Sequence, residues 1–106
     1  PANAISATIR KIVTGLGALL SIDGDELARR VQVEVDDGFV GDGYGIPTAA
    51  LREAQSLAAR HEALFVDHTY TAKAFAALVS YVRAKQFPPD QTILFWHTGG
   101  QVGQFA

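Results

Sequence analysis

The sequence predicts an α/β fold, a parallel sheet with flanking helices. Three observations predict it. From residue 48 onward, helical patterns alternate with short apolar runs, and helices of roughly 10–15 residues between short strands are the signature of βαβ units. The run Thr92–Trp96 (TILFW) is apolar without a break, as expected of a strand covered on both sheet faces. Three segments rich in glycine and polar residues, GDGYGIPT (41–48), DHTYTAKA (67–74) and LFWHTGG (94–100), sit where an apolar stretch ends. A sheet-and-helix scaffold presents its chemistry at such places.

The elements follow in order. Over 4–20, Ile5, Ile9, Ile12, Val13, Leu16, Leu19 and Leu20 recur at helical spacing, with Arg10 and Lys11 off the stripe, which predicts an amphipathic helix. Gly15 and Gly17 either weaken its end or permit a close crossing. Asp23-Gly24-Asp25 reads as a turn and 25–30 as a short helix. Val31, Val33 and Val35 alternate with Gln32, Glu34 and Asp36, the pattern of a half-buried strand. Residues 36–47 carry Gly38, Gly41, Gly43, Gly45 and Pro47 and form a structured loop. Thr48 suits the N-cap of a helix over 49–62 with Leu51, Ala54, Leu57 and Ala58 on its face. Residues 63–66 (ALFV) are a short buried strand. A further helix spans about 71–86, with Phe75, Leu78, Val79 and Val82 inward, and Pro88-Pro89 closes the connection to the strand at 92–96.

Composition narrows the function. At 106 residues a domain buries roughly 60–70% of its unfolded surface, so a core forms but one deep cavity would consume much of it. The hydrophobic share of 48% and charged share of 19% describe a globular chain rather than a disordered one. The formal charge is −2. Acids flank the one arginine doublet, Arg29-Arg30, and no basic stripe exists for nucleic acid. There is no cysteine, which excludes disulfides, thiolate nucleophiles and cysteine metal sites and fits a reducing, cytoplasmic setting. No apolar run approaches the ~20 residues that span a bilayer. Neither an internal repeat nor a low-complexity tract is present.

Ligands of open parallel sheets lie beyond the carboxyl ends of the strands. Asp67 to Thr71 and His97 to Gly100 follow the last two expected strands. In HTGG (97–100) a hydroxyl and two glycines let backbone N–H groups approach a ligand, or the segment is a turn needing positive φ. Tyr44 and Tyr70 either hydrogen-bond within the core or, from loops beside glycine and a strand end, face a ligand. GDGYG lacks the G-x-G-x-x-G spacing of a dinucleotide loop. His61, His68 and His97 show no metal spacing, no G-x-S-x-G elbow exists, and Asp23-Gly24-Asp25 is too short for a calcium loop. No metal is expected.

In combination these segments are more specific. GDGYGIPT, a helix, D-x-x-Y-T-x-K-A, a helix and LFWHTGG resemble, in order and spacing, the C-terminal portion of the D-cysteine desulfhydrase and 1-aminocyclopropane-1-carboxylate deaminase family. These are pyridoxal-phosphate enzymes of fold type II, with the tryptophan-synthase-β-like fold. The likeness covers about 35–105 well and 4–34 more loosely. It implies that residues 1–106 are a single segment, the C-terminal part of the large cofactor-binding domain, with the N-terminal portion of the enzyme absent. It implies catalytic roles for Tyr44, beside the substrate, and for Tyr70, which contacts or deprotonates substrate groups. It implies cofactor contacts for Thr98, whose hydroxyl meets the pyridine nitrogen, for Thr71 beside that nitrogen, and for Gly99, which makes room for the ring.

In the deaminases a glutamate follows the tyrosine and leucine precedes the later glycines. Thr71 and Thr98 at those places favour the desulfhydrase-like branch. A neutral hydroxyl leaves the ring less electron-poor than a carboxylate does, which suits loss of a good β leaving group better than opening of a cyclopropane. His68 stands where the family usually has proline, and Gln101 and Gln104 depart from the usual tail. The resemblance also requires a Schiff-base lysine and a phosphate cradle. Lys11, Lys73 and Lys85 do not match the lysine motif, so that lysine is expected outside this chain and the chain alone is expected to be inactive. The expected activity is a pyridoxal-phosphate-dependent lyase converting D-cysteine or a related amino acid to pyruvate, ammonia and sulfide. The expected partners are a small amino-acid substrate, the missing N-terminal portion and a second copy in a homodimer, with no nucleic acid and no membrane. The alternatives are a 1-aminocyclopropane-1-carboxylate deaminase, a non-catalytic fragment, or a small α/β binding domain that self-associates.

Overall fold

A computed structural model of the chain describes residues 2–100. Four helices form two compact units that divide at Asp37 and Gly38. The first unit holds α1 (Ala2–Leu20) and α2 (Gly24–Arg30), which pack together. The second holds α3 (Ala49–Glu62) and α4 (Thr71–Arg83), packed likewise.

In the first unit, α1 closes with Ser21 in the left-handed region (φ 56°) and the Ile22 N–H donating to the Gly17 carbonyl at 3.0 Å. That bond satisfies a carbonyl the helix end would otherwise leave open. Asp23 then caps α2, its side chain accepting from the Asp25 and Glu26 N–H groups at 2.9 and 3.0 Å. The chain turns back so tightly that a side chain on Gly17 would collide with the Gly24 backbone, and one on Gly24 with the Thr14 carbonyl. Gly17 is the one buried residue of α1. The expected close crossing is thus made at Gly17, while Gly15 faces open space. Most of the apolar stripe of α1 is exposed, Leu19 at 83%.

In the second unit the Thr48 hydroxyl caps α3 by accepting from the Leu51 N–H at 3.1 Å. Leu51, Ala54 and Ala58 lie along the buried face of α3, and Ala72 and Ala76 along that of α4. Small residues on both faces let the two helices approach closely. Leu51 and Val66 fill the centre, with Leu64 and Phe75 packed against them. At the surface Arg83 grips both Glu53 oxygens, at 2.7 and 3.1 Å. The pair is exposed and adds little stability. Phe75 meets Phe95 edge to face at 5.3 Å, which ties the segment after α4 back to the unit. Val82, expected inward, is 53% exposed. No helix among the described residues is long and apolar enough to cross a membrane.

The structure corrects the expected fold class. The described residues contain helices and no strand, so the parallel sheet with flanking helices is not formed. Residues 31–35, 63–66 and 92–96 run without ladder partners. A strand exists only where a neighbouring strand takes its N–H and C=O groups, and at 65–67 side chains take three of them. His97 Nε2 meets the Phe65 carbonyl at 3.0 Å, Gln55 Nε2 donates to the Val66 carbonyl at 2.9 Å, and the Asp67 N–H donates to the Thr71 hydroxyl at 3.0 Å. The alternation at 31–35 does survive: Val31, Val33 and Val35 are half-buried between exposed Gln32 and Glu34. The apolar run 92–96 is not covered on both sides, since Leu94 and Trp96 are 78% and 76% exposed.

Two glycines of one helix should respond in opposite directions. Gly17→Ala should destabilise the first unit by about 1–3 kcal/mol, because the added methyl has no room. Gly15→Ala should stabilise α1 by about 0.5–1 kcal/mol, because it lowers only the entropy cost of the helix. Thermal unfolding followed by circular dichroism measures both.

Candidate functional site

The candidate residues lie in the second unit, on three segments: the glycine loop 38–48, the turn 67–70 that opens α4, and residues 97–100. The last two meet at the Asp67 carboxylate, which is 3% exposed. Oδ2 accepts from the Thr69 and Tyr70 N–H groups at 2.9 and 2.8 Å. Oδ1 accepts from the Thr71 N–H at 2.9 Å and from its hydroxyl at 2.6 Å. An aspartate three to four residues ahead of a helix start can satisfy its first open N–H groups in this way. Burial is the largest single influence on Asp67 and works against its charge. The Thr71 hydroxyl and the N–H groups of Thr71, Tyr70 and Thr69 together outweigh it and hold the acid at about 2.

Residues 97–100 close on the same carboxylate. A Cβ on Gly100 would stand 2.5 Å from Asp67 Oδ1, so only glycine lets the backbone lie there. Gly99 and Gly100 both take positive φ, 107° and 94°. The positive φ expected of HTGG as a turn is therefore present, although no turn is formed there. His97 anchors the segment: Nδ1 accepts from the Gly99 N–H at 3.0 Å, which leaves the ring proton on Nε2 to bond the Phe65 carbonyl. Beyond this anchor the Thr98 side chain is exposed. A Cβ at Gly99 would meet nothing within 4 Å.

Tyr44 and Tyr70 come together although 26 positions apart: their hydroxyls are hydrogen-bonded and their rings meet edge to face at 5.7 Å. Both rings are largely exposed. The shared hydrogen bond with Tyr44, aided by partial desolvation and by the Asp67 charge, raises the Tyr70 phenol above its ordinary value. Behind them Lys73, buried, donates from Nζ to the Val40 and Gly43 carbonyls at 2.6 and 2.8 Å.

Of the sequence-derived candidates, Tyr44 and Tyr70 touch, and Thr71, Tyr70 and residue 100 meet at Asp67. The Thr71 hydroxyl gives its proton to Asp67. Asp67, His97 and Lys73 do more of the assembly than their sequence context suggested. The one available signal was the aspartate four residues before a threonine at a helix start, a capping pattern. Gln101 and Gln104 lie outside the described residues. Among the described residues no three histidine, aspartate or glutamate side chains gather as a metal site.

Because the folded Asp67 acid lies below its unfolded value of 3.8, at about 2, its stabilisation is complete above pH 4 and is lost as pH falls through 2. Its loss should cost about 2 kcal/mol. Asp67→Asn should remove that portion of the acid limb in urea unfolding between pH 5 and 2; an unchanged limb would count against the bonding described.

One comparison with protein families matches residues 2–99, nearly the whole chain, and by it the chain belongs to the pyridoxal-phosphate dependent enzymes, whose cofactor is pyridoxal phosphate.

Proposed function

We propose that this chain supplies the substrate-facing hydroxyls and the ring-nitrogen contact of a pyridoxal-phosphate-dependent lyase acting on D-cysteine or a related β-substituted amino acid. The observation that carries the reading is the Tyr44–Tyr70 hydroxyl pair on an open surface. When bound, the cofactor supplies the electron sink for the substrate carbon that loses its proton.

The residues fit the ring of that cofactor. Open space beside Gly99 and the exposed Thr98 side chain support a flat ring with its nitrogen at the Thr98 hydroxyl. Thr71 is buried with its hydroxyl committed to Asp67, so its part is to hold that carboxylate and not to meet the ring. A neutral partner suits elimination of a thiolate, so the desulfhydrase branch is preferred to the cyclopropane-opening deaminase. In this reading the α-proton passes to a base outside this chain and the Cβ–S bond breaks, its electron pair leaving with the sulfur. The sulfur leaves as hydrosulfide and takes its second proton from water, while the Tyr70 hydroxyl, still protonated at neutral pH, donates a hydrogen bond to it. Water converts the remaining three-carbon enamine to pyruvate and ammonia. Tyr44 holds the Tyr70 hydroxyl and borders the substrate.

The chain has three lysines, Lys11, Lys73 and Lys85. The Lys73 ammonium is already held by two carbonyls, which supports a cofactor-bearing lysine elsewhere in the enzyme. Exposed Leu94 and Trp96 support further protein against that segment, either the rest of the enzyme or a second copy in a homodimer.

In the full-length protein loaded with pyridoxal phosphate, Tyr70→Phe should lower kcat/KM for D-cysteine by about 10–10²-fold, the loss of one hydrogen bond to developing charge. Tyr44→Phe removes one hydrogen bond and should cost about tenfold. Pyruvate and sulfide are the products to measure. Faster formation of 2-oxobutyrate from 1-aminocyclopropane-1-carboxylate would instead select the deaminase. For the chain by itself, cofactor trapped by borohydride on Lys11, Lys73 or Lys85 and located by mass would overturn the assignment of that lysine elsewhere.

A further inference from the structure

We infer that Lys73 is the positioning residue of this site: its ammonium clamps the glycine loop so that the Tyr44 hydroxyl meets that of Tyr70. The inference rests on the reading of the tyrosine pair as the substrate-facing element.

The geometry runs through one helical turn. Tyr70 is the N-cap of α4 and Lys73 lies three residues on, so both side chains leave the helix on one face. Lys73 Nζ bonds the Val40 carbonyl at 2.6 Å and the Gly43 carbonyl at 2.8 Å. Those carbonyls bracket Gly41 and Asp42, and the second belongs to the residue just before Tyr44. Gly41, Gly43 and Gly45 all have positive φ, at 69°, 155° and 71°, a backbone with few intrinsic preferences of its own. Besides the clamp, this stretch is closed by one long backbone bond, Ile46 N–H to the Gly43 carbonyl at 3.4 Å. An ammonium is a compact charge with several rotatable donors, and here it turns two loop carbonyls toward α4. Burying it is costly unless such partners are present. The Tyr44 ring is 79% exposed, so little packing holds it against Tyr70. The loop's attachment to α4 sets that position.

A residue that only supported the fold would affect stability alone. A clamp also sets the coupling between the two phenols, and this is measurable without substrate. The groups acting on Tyr70 are the Tyr44 hydroxyl and the Asp67 carboxylate. In the full chain, the ultraviolet absorbance of tyrosinate should show Tyr70 ionising later than a free phenol, with Tyr70→Phe identifying its step. Lys73→Met should return that step toward the ordinary phenol value of about 10 while helix content by circular dichroism stays unchanged. Lys73→Ala should do the same, and propylammonium added to it should delay the step again. A Tyr70 step delayed as far in folded Lys73→Met as in the unsubstituted chain overturns the proposal.

A second measurement covers the case in which both variants unfold. In the unsubstituted chain, acetylation of Lys73 should be at least tenfold slower than that of exposed Lys11 and Lys85. Equal rates overturn the clamp. Neither measurement involves turnover, so failure of the lyase reading and failure of the clamp are separately visible.

Discussion

One buried carboxylate organises the second unit. Asp67 receives three N–H groups and a hydroxyl from Thr69, Tyr70 and Thr71, while Gly100 lies against the same carboxylate. Burial disfavours its charge, yet four short donors favour it more strongly, so it remains ionised. That balance fixes the first turn of α4. Because Tyr70 and Lys73 issue from this turn, the direction of both side chains follows from it. A helix start whose open N–H groups are answered by a single acid has little freedom to rotate or fray.

The site is built with dry roots and wet tips. Asp67, Thr71 and Lys73 are buried, whereas the Tyr44, Tyr70 and Thr98 side chains are exposed. The buried groups spend their donors and acceptors on backbone and on one another, and the exposed ones carry their hydroxyls at the surface. This division explains why polar residues beside a small alanine-lined core do not weaken it. Their hydrogen bonds are complete inside, so the cost of burial is met before any ligand arrives.

Helices were legible in the sequence wherever a cap and a period agreed. Thr48 marks the start of α3, and Leu51, Ala54 and Ala58 mark the buried face as read, with Leu57 only half-buried. The short helix after Asp23 begins one residue earlier than expected, at Gly24. The sheet was not legible correctly, because apolar alternation reports one-sided burial and not pairing. Val31, Val33 and Val35 show the alternation without a ladder. Periodicity likewise could not reveal that Gln55, Thr71 and His97 would occupy the backbone groups of 65–67. The site residues were legible as motifs, since glycine and hydroxyl clusters stand out against apolar runs. Contacts among them were not, because the meeting of Tyr44 with Tyr70 depends on a lysine in a helix and on carbonyls that carry no sequence signature.

The glycine loop has one further property. Its far end is fastened at Thr48, whose hydroxyl caps α3 while its methyl occupies the space a side chain on Gly41 would need. With Gly41 against Thr48 at one point and Val40 and Gly43 held by α4 at another, the loop is a ring of fixed circumference. Insertions or deletions between 41 and 48 would break a fastening, but exchanges at the outward positions Asp42, Tyr44 and Ile46 would not. Natural or engineered divergence in this segment should therefore proceed by spelling rather than by length.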